Sequence, residues 1–172
     1  LGEIALALAA APDADLLYTD DDKIDTGGRR YAPQFKPDWS PELLLSWMYV
    51  GHALVVRRSL FATLGGFRAG FEGSQDFDFA LRAGEQARRV LHLPLVLYHW
   101  RAAPGSTATS GAAKPASFAA GERAVTEALA RRGSGGTAQR PPWAVRSGVG
   151  IFGHAFPDDG PRVAILIPTR NQ

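Results

Sequence analysis

Three consecutive carboxylates, Asp20-Asp21-Asp22, follow the apolar run Leu16-Leu17-Tyr18-Thr19, and Asp76 and His99 stand further along the chain. A run of that length predicts a buried strand, from about Asp15 to Thr19. Strands of open α/β sheets deliver their chemistry at their carboxyl ends, which puts the acids at the lip of a cleft. Adjacent like charges repel, and an oxygen-ligated divalent cation relieves that repulsion. Side chains alternate along an extended backbone, so Asp20 and Asp22 are expected to face one way and Asp21 the other. The chemistry implied is one cation, two carboxylates and a phosphate-bearing ligand. A solvated acidic loop is the plainer alternative. A calcium loop of the EF-hand type fits poorly, because Ile24, Asp25 and Tyr31 stand where an oxygen ligand, Gly and Glu are needed. An aspartyl-phosphate phosphatase also begins with a strand and Asp-x-Asp, and stays open at this point.

Asp76 falls in the first turn of a helix expected from about Gln75 to Ala87 and capped by Ser74. Free amides and the helix dipole there favour the ionised carboxylate, which in a cleft can accept a proton from an attacking hydroxyl. A good first-turn acid with no further role is the alternative. His99, among Tyr98, Trp100 and Arg101, suits a packed histidine or a further metal contact beside Asp22. Arg101 and Lys114 can neutralise phosphate charge, or be solvated. Trp39, Trp47 and Trp100 can stack on sugar rings or pack in the core.

The remaining elements must position these groups. A helix is expected over Glu3–Ala11, a short strand around Arg30–Phe35, and a helix started by Ser40 and Pro41. Leu54–Val56 reads as a buried strand, and Ser59–Leu64 as a short helix stopped by Gly65-Gly66. Val90–Leu93 and Leu95–Trp100 read as two strand-like runs divided by Pro94. Residues 102–114 read as a loop or lid. A last amphipathic helix spans about Pro115 to Arg132, and 134–161, rich in Gly, Pro and Ser, reads as a linker. Arg162–Asn171 reads as a strong buried strand and turn. The chain begins without Met inside its first expected helix, and so reads as a piece of something longer.

The composition is that of a globular domain: 172 residues, 45% hydrophobic and 21% charged. With a net charge of only +2 and scattered basic residues, nucleic acid is not an expected partner. Cysteine is absent, which excludes a disulfide framework, a thiol nucleophile and a thiolate metal site. No apolar run approaches the roughly 18 residues of a membrane span.

The order of the pieces is more specific than any one of them. Tyr18–Asp25, then Phe35–Leu45, then Gly65–Arg68, then Glu72–Arg82, then Tyr98–Arg101 form a series that resembles the family 2 glycosyltransferases of GT-A fold. It most resembles the bacterial enzymes that build cell-surface polysaccharides, including O-antigen and rhamnan-type glycans. The resemblance covers about Glu3 to Gly133. It implies an α/β fold, here a partial GT-A domain: Rossmann-like, with a mixed, mostly parallel sheet and flanking helices, lacking the N-terminal nucleotide-binding half. Residues 1–133 would be the metal- and acceptor-binding half, and 162–172 the first strand of a second glycosyltransferase domain.

By the same resemblance, Asp20 and Asp22, with His99, hold Mg²⁺ or Mn²⁺ against the diphosphate of a nucleotide-sugar donor, assisted by Arg101 and Lys114. Asp76 is the general base of an inverting transfer to a glycan or lipid-linked acceptor. Gln75 stands where many members have Glu. Trp39, Gly65, Gly66, Phe67, Glu72 and Gln75 fall on the acceptor side. A cytoplasmic protein at the inner face of the cell membrane is implied, with an isolated fragment inactive for want of a nucleoside site. The first Asp of a phosphatase would have to be a nucleophile, and Lys23-Ile24 stands where a hydroxyl residue is expected, which weighs against that class. A non-catalytic sugar-binding module remains as a second reading.

Overall fold

The computed structural model describes residues 1–102, 115–158, 160, 164 and 165. Its centre is a mixed sheet built on β1 (Leu16–Ile24). Along one edge β1 pairs in parallel with β4 (Val90–Arg101) over its whole length, from Leu16 opposite Val90 to Ile24 opposite Arg101. Its other edge is shared by two antiparallel strands. β3 (Leu54–Val56) covers Leu16–Tyr18, and β2 (Arg30–Gln34) covers Asp21–Ile24. One parallel and two antiparallel pairings make the described sheet mixed rather than mostly parallel.

The strand through the acids is longer than expected. It does not stop at Thr19 but carries Asp20, Asp21 and Asp22 inside it, all three buried. All three pair with β4, and Asp21 also pairs with β2, so the acids are part of a ladder and not of a loop. β4 likewise is one strand and not two. Pro94 falls beside an irregularity in the β1 register, between Thr19 and Asp20, where the ladder needs no amide from it.

Helices cover the sheet. α2 (Pro41–Ser46) starts as its sequence dictates, with Ser40 Oγ accepting from Leu43 N at 3.2 Å and Pro41 at the first position. α3 (Arg58–Thr63) leads into the Gly65-Gly66 turn, and α4 (Gln75–Gln86) packs against α2, α3 and α5 (Pro115–Arg131). The main core gathers Tyr18 of β1, Leu44 and Leu45 of α2, Phe77 and Leu81 of α4, Val125 and Leu129 of α5, with Tyr49 and Phe152. Trp39 joins this core and lies against Gly84, where a β-carbon would come within 2.7 Å of the indole. α1 (Gly2–Ala10) buries none of its residues. Among the described residues no helix is long and apolar enough to cross a membrane.

Ser74 precedes α4 as expected, but its hydroxyl does not cap that helix; it donates to Ser117 O at 2.7 Å and ties α4 to α5. α4 is anchored instead by Asp78, a fully buried carboxylate. It accepts from Arg82 Nε at 3.0 Å and from Arg68, and Arg68 also reaches Glu127 of α5 at 2.7 Å. Arg82 donates onward to Leu64 O and Gly66 O, at 2.9 and 2.7 Å, and so fastens the turn after α3 to α4. Burial alone would push the Asp78 carboxyl up; the two guanidiniums outweigh it and hold it below the ordinary carboxylate range.

The stretch 134–161, expected to be a linker, carries β5 (Thr137–Gln139), α6 (Pro142–Ser147) and β6 (Gly153–Ala155). β5 and β6 form a two-stranded antiparallel sheet. Gly148, at φ 63°, closes α6 in the left-handed conformation that glycine adopts without strain. Phe152 enters the core against Gly121 of α5 and Phe77 of α4, and its amide donates to Ser46 O. Glycine and proline here make tight turns around a docked aromatic. The strand expected over Arg162–Asn171 and the lid expected over 102–114 fall outside the described residues, apart from Ala102, which is buried, and the isolated positions 164 and 165.

Two outcomes follow from these contacts. Asp78→Asn is expected to destabilise the chain by about 3 kcal/mol at pH 7, since it leaves the buried Arg82 guanidinium without its counter-charge. A carboxyl depressed in the folded state stabilises above the unfolded value near 4 and loses that contribution as pH falls through its folded value. Denaturant curves at pH 7 and pH 3 should therefore show a smaller loss in the variant than in the wild type. Gly121→Val places a β-carbon 2.6 Å from the Phe152 ring. It is expected to cost about 1–3 kcal/mol, and hydrogen exchange should show 137–155 losing protection first.

Candidate functional site

The chemistry-bearing residues of β1 are held in place by Lys36, Arg30 and two histidines of β4. Lys36, just after β2, is buried beneath the acids with its side chain 1% exposed. Its Nζ donates to Thr19 O at 2.7 Å and His52 O at 2.9 Å, and lies 3.4 Å from Asp21 Oδ1. Burial pushes this ammonium down, with Asp21 and Asp20 working the other way. Burial likewise pushes the Asp21 carboxyl up, partly offset by Lys36. Asp21 Oδ1 is buried and has no hydrogen-bond partner among the described residues.

Asp20 is bound on the inside. Its Oδ1 accepts from Lys36 N at 3.0 Å and sits 2.9 Å from His92 Nε2. His92 stacks on Tyr18, with ring centroids 4.8 Å apart, and its other ring nitrogen lies 3.3 Å from Asp38. Asp22 has partners of its own, with His99 Nδ1 2.6 Å from Oδ1 and Arg30 Nε 2.6 Å from Oδ2. Burial raises the Asp22 carboxyl, but the bonds from His99 and Arg30 outweigh it and leave it below the ordinary value.

Pairing irregularities fall between Thr19 and Asp20 and between Asp20 and Asp21 against β4, and between Asp21 and Lys23 against β2. The extra residues lie on β4 and β2, and β1 runs on without one. Asp21 and Asp22 line a cleft of about 540 Å³, and Asp20 is not among its lining residues. The trio Asp20, Asp22 and His99 is not assembled as one ligand set, and no group of three or more metal-ligating side chains occurs among the described residues.

Asp76 lines the same cleft as Asp22, with Ser74 and Phe77 beside it. It is half-buried in the first turn of α4, where its Oδ1 accepts from Phe77 N at 2.9 Å. Trp47, His52 and Trp100 also line the cleft, with His52 between the Tyr98 and Trp100 rings. Other expected residues lie elsewhere. Trp39 packs in the core, and Gly65, Gly66 and Phe67 belong to the turn held by Arg82, with Phe67 against Phe61 and Phe79. Glu72 and Gln75 bond to the amides of Gly70 and Gly73 and do not line the cleft. Arg101 ends β4 opposite Ile24, also outside the lining, and Lys114 lies outside the described residues.

Sequence reasoning missed Arg30, Lys36, His92 and the wall formed by Gly148, Val149 and Gly150. A signal existed for Lys36: three buried carboxylates in one strand demand a buried cation nearby. Lys36→Met removes that cation beside Asp21 and strips Thr19 O and His52 O of their donor. A loss of about 3–5 kcal/mol is expected, read from urea denaturation at pH 7.

No family model matches the chain. It is 42% identical over 173 residues to the O-antigen biosynthesis protein RfbC of Myxococcus xanthus, a match covering all of this chain and 13% of that protein. It is 43% identical over 171 residues to protein y4gI of Sinorhizobium fredii, covering 98% of this chain and 18% of that protein. The chain therefore spans less than a fifth of the length of either relative.

Proposed function

We propose that this chain carries the metal- and acceptor-binding half of a family 2 glycosyltransferase of GT-A fold. The reaction is an inverting transfer of a sugar from a nucleotide-sugar donor to a glycan or lipid-linked acceptor, in the synthesis of cell-surface polysaccharide. One observation carries the reading: Asp22, whose Oδ1 meets His99 Nδ1, and Asp76 line a single cleft. The likeness to a protein named for O-antigen biosynthesis, over the whole of this chain, supports the polysaccharide setting.

The donor set suits Mg²⁺ or Mn²⁺. Asp22 brings a carboxylate and His99 an imidazole, and small hard cations commonly take one or two protein ligands and complete their shell with substrate phosphates and water. Arg30, half-exposed at 52%, can swing off Asp22 to free an oxygen. Asp20 drops out of the set, since Lys36 and His92 already engage it. Bound there, the ion would offset charge gathering on the departing diphosphate.

Asp76 acts at the other side of the cleft. As the acceptor hydroxyl attacks the anomeric carbon, Asp76 takes its proton while the bond to the diphosphate breaks on the opposite face. The buried Lys36–Asp21 pair keeps the floor of β1 rigid, so that Asp22 keeps its orientation. The nucleoside-binding half lies, in this reading, in sequence outside the 172 residues, and the chain alone transfers no sugar. The protein works at the cytoplasmic face of the membrane.

In the full-length protein, Asp76→Asn is expected to lower kcat by about 100- to 10,000-fold with donor KM kept, and Asp22→Asn to weaken Mn²⁺ binding followed by electron paramagnetic resonance. Unchanged turnover in Asp76→Asn would sink the assignment of the base. Absence of turnover in the wild type with every nucleotide sugar supplied would favour the sugar-binding module instead.

A further inference from the structure

The cleft has a second wall that neither the acids nor the general base explains. It is built by the segment after α5: Gly148, Val149 and Gly150 line the cleft together with Trp47 and Phe118, Gly150 lying next to the Phe118 ring. The wall is fixed to the body of the protein. Trp47 forms a β-bridge with Ile151, Phe152 N donates to Ser46 O at 2.9 Å, and Phe152 is buried in the core. Arg140 braces it from behind by donating to Val149 O and Ala144 O and by stacking over the Phe118 ring at 3.6 Å. Trp47 keeps 38% of its surface exposed although its backbone is bonded on both sides, so an aromatic face is held open rather than packed away.

We infer that Trp47, Phe118 and the Gly148–Gly150 rim form the subsite for a pyranose ring of the glycan acceptor. This deepens the proposed transferase and rests on it for the word acceptor. The recognition chemistry is that of a sugar. A pyranose presents an apolar C–H face, which an exposed indole or phenyl ring covers, and a rim of hydroxyls, which need polar partners. The cleft supplies both, since aromatic rings and the carboxylates of Asp22 and Asp76 are among its lining groups. Two glycines in three residues keep the rim thin. The acceptor residues expected from sequence, Trp39 and the Gly65–Phe67 turn, do not line this space.

The test separates this inference from the transferase reading by measuring binding without donor or metal. Rhamnotriose, mannotriose and maltotriose are titrated against the protein and followed by ligand-observed NMR. Saturable binding of at least one is expected, weakened at least tenfold by Trp47→Ala. Gly150→Trp should do the same by filling the cleft: a β-carbon there meets Phe118 at an ordinary 3.6 Å, so the backbone accepts it. Thermal melts and circular dichroism confirm that both variants are folded. In the full-length protein the same two changes should raise acceptor KM at least tenfold with donor KM unchanged. Failure of all three trisaccharides to bind, or binding untouched by both variants, overturns the subsite. Binding lost in both variants together with no sugar transfer by the wild type keeps the subsite and overturns only the transferase reading.

Discussion

Three adjacent carboxylates buried in one strand are the constraint on which the rest of this structure depends. Each must be matched by a positive or hydrogen-donating group, because an uncompensated buried charge costs several kcal/mol. The matches come from separate parts of the chain: Lys36 after β2, Arg30 in β2, His92 and His99 at two ends of β4. The parallel pairing of β4 with β1 is thereby reinforced by side-chain contacts from His92 and His99 as well as by backbone hydrogen bonds. The same matching sorts the acids by role. Asp20 is held by Lys36 N and His92, Asp21 lies beside the Lys36 ammonium, and Asp22, held by His99 and Arg30, lines the cleft with Asp21.

A second buried carboxylate sets the other side of the cleft. Asp76 and Asp78 are two residues apart on α4, and residues at that spacing point to opposite faces of a helix. Asp78 is drawn inward by Arg68 and Arg82, which turns Asp76 outward. Arg68 and Arg123 also lie over the Phe71 ring, at 4.2 and 4.5 Å, and so steady the loop that brings Gly73 and Ser74 to the cleft edge. The position of Asp76 is thus a consequence of an ion cluster it does not touch.

Much of the fold was legible in short-range signals. Ser40-Pro41 started a helix, Gly65-Gly66 ended one, and β2 and β3 fell close to the expected Arg30–Phe35 and Leu54–Val56, because these signals act within a few residues. The errors share a cause. Charge was taken to end a strand, proline to divide one, and glycine with proline to mark a linker. In each case long-range partners reversed the local preference: Lys36 and His92 admitted the acids, β1 accepted the irregularity beside Pro94, and Phe152 docked a segment that composition alone leaves loose.

By itself the sequence determined the kinds of groups available, the order in which they occur and the helices that carry them, since composition, capping and periodicity are local. That Asp21 and Asp22 line the cleft, and that residues 148–150 wall it, was decided only in three dimensions. The reason is geometric: a cleft is lined by elements that pack together from distant parts of the chain. A wall made of glycine backbone announces itself only when something packs behind it.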